Sequence, residues 1–280
     1  MEKDFWRAII ANKCAVPDSY TPSQLLPELL ENLGSLDAEL RDDLSLFILS
    51  SWLEGNKYSP MEMRAMVAPL KTNLKHGLGE SGTDSVFRRT FSAITLAELV
   101  HVDNKGAYLT REEVHEILDA GLEYLLAERD LRGYVPAKGW AHALAHTADL
   151  LMVLARSVHC EKNELQRILN AVSAQLVNSG QTHYTHDEDE RLVNAIVAIL
   201  NRDIVEAQTL ADWVESLSQA KTEGWKDAYQ DPSANRARHN VKTFLRSLHY
   251  RLTKIETPPP NCDSLLVSLR EGLKVITPWA

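Results

Sequence analysis

Apolar residues recur three and four positions apart along almost the whole chain, and stretches in which apolar and polar residues alternate are hard to find. That spacing matches the 3.6-residue turn of helices with one buried face, so it predicts an all-α fold. It places helices at Lys3 to Asn12, Pro22 to Leu33, Asp37 to Leu53, Pro60 to Lys75, Asp84 to Val102 and Arg111 to Arg129. Further helices follow at Gly139 to Val158, Lys162 to Asn178, Asp187 to Asn201, Ile204 to Gln219, Ala234 to Leu252 and Asp263 to Val275. Several onsets carry caps: Ser59 precedes Pro60, and Thr110 with Glu113 has the capping-box spacing. Gly and Pro fall mostly between these segments, Gly77 to Gly82 reads as a loop, and Pro258-Pro259-Pro260 forms a stiff spacer before the last helix.

No linker separates two independent domains, so the pattern predicts one helical-array domain over residues 1–280. Within it lie N-terminal helices over 1–75, a core over 76–255 and a C-terminal helix over 256–280. Segments beginning at Asp84, Gly139, Asp189 and His239 recur at about fifty residues, and each reads as the start of a long helix. Regular loop lengths produce such spacing by accident in any helical protein. Taken as a repeat, it predicts a curved array of antiparallel helix pairs, a HEAT-like α-solenoid, whose concave face does the binding.

Composition narrows the function classes. With 44% hydrophobic and 25% charged residues the chain can bury a core, and 30 Lys+Arg against 39 Asp+Glu leave a net charge of −9. Such a balance repels a phosphate backbone, so nucleic acid is not an expected partner. Cys14, Cys160 and Cys262 are odd in number and far apart, which fits a reducing compartment. Met1 to Arg7 lack a long apolar stretch, and no later run approaches the ~18 apolar residues of a spanning helix. Together these predict a cytoplasmic protein without a membrane partner. The nucleophile elbow, the phosphate loop and the dinucleotide glycine fingerprint are missing; Gly77-Leu78-Gly79 lacks the third glycine. His159 and Cys160 are neighbours, but on a helix they point about 100° apart and make no nucleophile–base pair.

The most informative segment runs from Arg132 to Asp149. Read as a helix from Gly139, it puts Trp140, Leu144 and Ala148 on one stripe and His142, His146 and Asp149 on another. Two histidines at i and i+4 can reach one metal ion, with Asp149 as a third ligand or an orienter. Ala143 stands where the metalloprotease helix carries its glutamate base, so that mechanism does not apply. The bland alternative is a pair of neutral imidazoles holding neighbouring helices in register. Asp187 and Glu188 read as helix-capping acids, while Asp189 and Glu190 come within reach of His142 if successive inner helices lie side by side. Phe87 and Phe91 read as core, Asp84 is spaced to pair with Arg88, and Arg88 and Arg89 are candidates to face the groove. In the later helix Asn240, Lys242, Arg246 and His249 repeat this polar content.

The runs Gly79 to Phe91, Arg132 to His142 with His146 and Asp149, Asp189 to Leu192 and Phe244 to Leu248 together resemble the bacterial domain-of-unknown-function family 2785. Thr90 stands where that pattern carries serine, which keeps the hydroxyl. The resemblance implies an all-helical protein and brings no activity, ligand or site residue with it. The expected function is therefore binding of a peptide, a protein segment or a polar small molecule in a groove lined by Arg88, Trp140, His142, His146, Asp149, Asp189, Glu190 and Arg246, without a cofactor. The alternative is a metal-assisted hydrolase with a divalent ion on His142 and His146 and a nearby acid as general base.

Overall fold

The computed structural model describes residues 1–220 and 225–277. Its backbone is helical nearly throughout, in the order α1 (Lys3–Ala11), α2 (Pro22–Asn32), a π-helical segment (Glu39–Leu46) running into α3 (Phe47–Glu54), α4 (Pro60–Leu74), α5 (Ser85–Gly106) and α6 (Arg111–Ala127). A hairpin of two-residue strands follows, β1 (Tyr134–Val135) and β2 (Gly139–Trp140), then α7 (Ala143–Arg156), α8 (Lys162–Val177), α9 (Glu188–Leu200) and α10 (Ala207–Ser218). A 3-10 turn (Lys226–Gln230), α11 (Pro232–Lys254) and α12 (Cys262–Ile276) complete the described chain.

The expected caps form. Ser59 Oγ accepts from the Glu62 amide while Glu62 reaches back to the Ser59 amide, and Thr110 and Glu113 do the same for α6. Two helix readings and the repeat are corrected. The stretch from Asp37 opens with π-helical turns. The helix read from Gly139 begins at Ala143, after a hairpin. His239 lies inside α11 instead of opening it, so that, with Gly139 in a strand, two of the four aligned onsets are lost.

Packing divides the chain into two compact units, Met1–Leu150 and Leu151–Ala280, with the boundary inside α7 and not in a loop. In the first unit α3 packs on α5, α4 on α5 and α4 on α6. Its core gathers Trp6, Trp52, Phe87, Phe91 and Leu25 and Leu29 of α2, and the Trp52 indole donates to the Cys14 carbonyl at 2.7 Å. In the second unit α8 packs on α10, α10 on α12 and α9 on α11. Gly272 lets α12 approach α10 closely, since a Cβ there would lie 3.1 Å from Val214 Cγ1. Within each unit helices adjacent in sequence also pack on each other, α4 on α5 in the first and α11 on α12 in the second, beside these contacts between alternate helices.

Candidate functional site

The hairpin of the first unit is built on a backbone that most residues avoid. Tyr134 pairs with Trp140 and Val135 with Gly139, and the turn between them places Ala137 at φ 64° and Gly139 at φ 77°. His142, just before α7, sits at φ 55°, and its carbonyl accepts the His146 amide at 2.9 Å. A left-handed conformation costs a non-glycine residue roughly 1–2 kcal/mol, so Ala137 and His142 persist only because their surroundings hold them.

Arg41 is the main holder. Its guanidinium is fully buried, donates to the Ser35 carbonyl at 2.7 Å and the Lys138 carbonyl at 2.7 Å, and reaches the Trp140 carbonyl at 3.3 Å. It lies 4.3 Å from the Phe87 ring centroid and 4.7 Å from that of Phe91. Burial lowers its affinity for its proton, and the nearby Asp42, Asp37 and Asp43 oppose that. Gly139 fits because it has no side chain: a Cβ would meet the Ala38 Cβ at 2.7 Å. Outside, Lys138 pairs with Asp84 at 2.6 Å, and Arg132 holds Asp130 and the Thr83 carbonyl.

What the hairpin displays is a column of rings. Tyr134, 53% exposed, meets Trp140, 37% exposed, edge to face at 5.1 Å. Trp140 stacks on His142 with centroids 4.2 Å apart and planes 10° apart. His142 lies 5.6 Å from His146, and His146 meets Phe91 edge to face at 5.1 Å. His146 is buried, with Nδ1 3.1 Å from Thr90 Oγ1. The column thus runs from solvent to core, and its three middle members, Trp140, His142 and His146, carry ring nitrogens.

At the level of α5 and the first turns of α7, carboxylates line the same unit. Asp149 is buried, and Glu98 is half-buried in an otherwise apolar stretch of α5. Burial and the carboxylates of Glu54 and Asp149 raise the Glu98 pKa above its ordinary value, with Lys105 opposing. The folded protein therefore holds the Glu98 proton more tightly than the unfolded chain, and stability from this group falls as pH rises from about 4.5 through the folded value. Glu98→Gln is expected to melt above the parent at pH 7 and to lose that advantage near pH 4. Thermal melts at the two pH values check this, and an equal offset at both contradicts it.

The residues singled out in the sequence fall into both units. Trp140, His142 and His146 come together, with Asp149 one turn beyond His146, but Trp140 and His142 precede the helix, so the Trp140, Leu144, Ala148 stripe does not form. Arg88 does not pair with Asp84. It grips Glu31 through two hydrogen bonds of 3.0 and 2.6 Å, which raise its pKa, and it packs against Gly34. Arg89 is buried away from any groove in a two-bonded ion pair with Glu128.

Asp189, Glu190 and Arg246 belong to the second unit. Asp189 is buried and accepts from Ser247 Oγ, while Glu190 and Arg246 border one cavity of about 570 Å³ between α9 and α11. Asp187 does not cap α9 with its side chain; it occupies a left-handed backbone position, and Glu188 accepts the His186 amide instead. Among the described residues no group of three or more His, Cys, Asp or Glu side chains is placed to hold a metal ion. None of the described helices is long and apolar enough to cross a membrane.

Tyr134, Arg41 and Glu98 were not recognised from sequence. Glu98 had a signal, a single acid within Ala93 to Val100. Tyr134 had a weaker one in the Pro136 to Gly139 turn composition that follows it.

A family model described as a protein of unknown function, DUF2785, matches residues 74–250. No curated protein and no solved structure matches the chain.

Proposed function

The chain belongs to the DUF2785 family of proteins of unknown function, and from that premise and the hairpin geometry we propose that it is a ligand-binding protein. Its recognition element is the exposed stack of Tyr134, Trp140 and His142. One observation carries this reading: a buried cation, a glycine with no room for a Cβ and two strained non-glycine residues all serve to fix two large aromatic rings at the surface. Strain held in this way is characteristic of sites that must be ordered before their ligand arrives.

The ligand class is a polar small molecule or a peptide side chain with a flat face. Trp140 and Tyr134 supply contact area at little entropic cost, and the ring nitrogens beneath them supply orientation. Contacts between alternate helices, α3 with α5 and α4 with α6 in one unit and α8 with α10, α9 with α11 and α10 with α12 in the other, support the HEAT-like plan of stacked helix pairs, in which such surfaces line one layer.

Ligand-observed NMR against a panel of polar metabolites and short peptides tests the reading. Trp140→Ala is expected to weaken the ligands found by tenfold or more, about 1.4 kcal/mol, with little change in melting temperature because the ring is part exposed. Ligands that bind Trp140→Ala as well as the parent would contradict it.

A further inference from the structure

The second unit carries a cationic cleft in a chain whose net charge is −9. Arg238, Lys242 and Arg246 stand one turn apart on α11, and with His239, His183 and Asn235 they border a cavity of about 480 Å³. At 1.5 Å rise per residue the three cations span about 12 Å along the helix. The cleft has a fixed inner wall. Arg238 is buried, donates to the Ile276 carbonyl and lies 4.7 Å from the Tyr229 ring centroid, so its charge cannot swing away. His183 meets His239 edge to face at 5.1 Å.

Lys242 and Arg246 make no ion pair or hydrogen bond with any described residue, in contrast to Lys3, Arg7, Arg88, Arg132 and Lys138, which all hold carboxylates. The cost of gathering these charges is visible. Burial lowers the pKa of His239, and His183, Lys242, Arg246 and Arg238 lower it further. Burial, Arg238 and Arg246 lower that of Lys242, with only Tyr229 opposing. A solvated basic stripe would spread its charges; here four groups converge on one cavity and repel one another.

We propose that this cleft is an anion site for a small molecule bearing a diphosphate or two phosphate groups. Charge balance decides the class. Lys242 and Arg246 together match one phosphate dianion, and the fixed charge of Arg238 calls for further negative charge. A single carboxylate neutralises too little of the cleft. The site lies wholly within the second unit and involves none of the hairpin residues, so it stands or falls independently of Trp140.

Inorganic diphosphate is the probe, with orthophosphate and sulfate as comparisons, each at about 10 mM and matched ionic strength so that screening is equal. Diphosphate is expected to raise the melting midpoint of the full chain, orthophosphate to raise it less and sulfate least. The double variant Lys242→Gln, Arg246→Gln is expected to melt at or above the parent without ligand, since it relieves repulsion, and to lose the diphosphate response. In the parent, diphosphate is also expected to shift the His239 ring resonances and raise the pH of their titration, because a bound anion favours the imidazolium. This readout does not depend on any variant folding. An equal response to sulfate, an undiminished response in the double variant, or His239 resonances that ignore diphosphate would each overturn the proposal.

Discussion

Replacing Glu128 by alanine is expected to lower the unfolding free energy by about 3–5 kcal/mol, the range for removing one partner of a buried ion pair. The Glu128 side chain is 2% exposed and that of Arg89 is fully buried. Glu128 takes Arg89 Nε at 2.6 Å and Nη2 at 3.0 Å, and its Oε1 also accepts the amides of Arg129 and Asp130 at 2.9 Å each. Arg89 turns its remaining nitrogen to the carbonyls of His76 and Gly77 and to Ser85 Oγ. Burial alone would lower the Arg89 pKa, yet contact with Glu128 outweighs it and the net shift is upward. Without the carboxylate, the cation stays buried and two amides lose their acceptor. Urea unfolding with an unchanged slope measures the loss. The double variant Arg89→Met, Glu128→Leu is expected to cost less than Glu128→Ala, because no charge is then stranded. A double variant that costs more would mean the pair contributes net stability beyond mutual neutralisation.

Arg41→Ala is the second large effect, expected at about 2–4 kcal/mol from lost charged hydrogen bonds and a new cavity. Among the described residues Arg41 has no carboxylate in salt-bridge contact; it answers three carbonyls, and two of them belong to the hairpin. Its removal takes one donor from each of those carbonyls and vacates the space against Phe87 and Phe91. The loss therefore has a local signature. Proteolytic cleavage between Arg132 and His142 is expected to accelerate more than global unfolding explains, and cleavage that only tracks the lower stability would contradict the clamp.

The helices were legible because their signals are local and redundant. Ser59 with Pro60, or Thr110 with Glu113, mark an onset in four residues, and the apolar period then carries it for three or four turns. The hairpin was not legible for the opposite reason. Its strands are two residues each, too short for alternation to register, and the apolar residues from Trp140 onward continue the helical phase of α7. Nothing in Ala137 or His142 as residue types announces the left-handed backbone that both adopt. Arg41 lies 97 residues from the Lys138 carbonyl it binds, and Arg89 lies 39 residues from Glu128. Burial of a cation depends on such partners, so a charge pattern read along one helix places Arg89 in a groove when it belongs to the core. The same limit separates Arg88, which finds Glu31 on α2, from the Asp84 that its own helix spacing offers.

Asp189, Glu190 and Arg246 show the converse. The sequence singled out Glu190 and Arg246, and both border one cavity of the second unit because α9 and α11 pack together. What the linear pattern did not show was that Lys242 and His239 converge with Arg246 on the neighbouring cleft.

The claim that the aromatic stack is ordered in advance of any ligand is tested most directly by amide hydrogen exchange across residues 133–142 of the unliganded protein. The amides of Lys138, Ala141 and His142, bonded to Val135, Gly133 and Arg132 carbonyls, are expected to exchange at rates set by opening of the first unit, and to speed up selectively in Arg41→Ala. Exchange at open-loop rates in the parent, with Arg41→Ala unchanged, would contradict a preformed recognition hairpin.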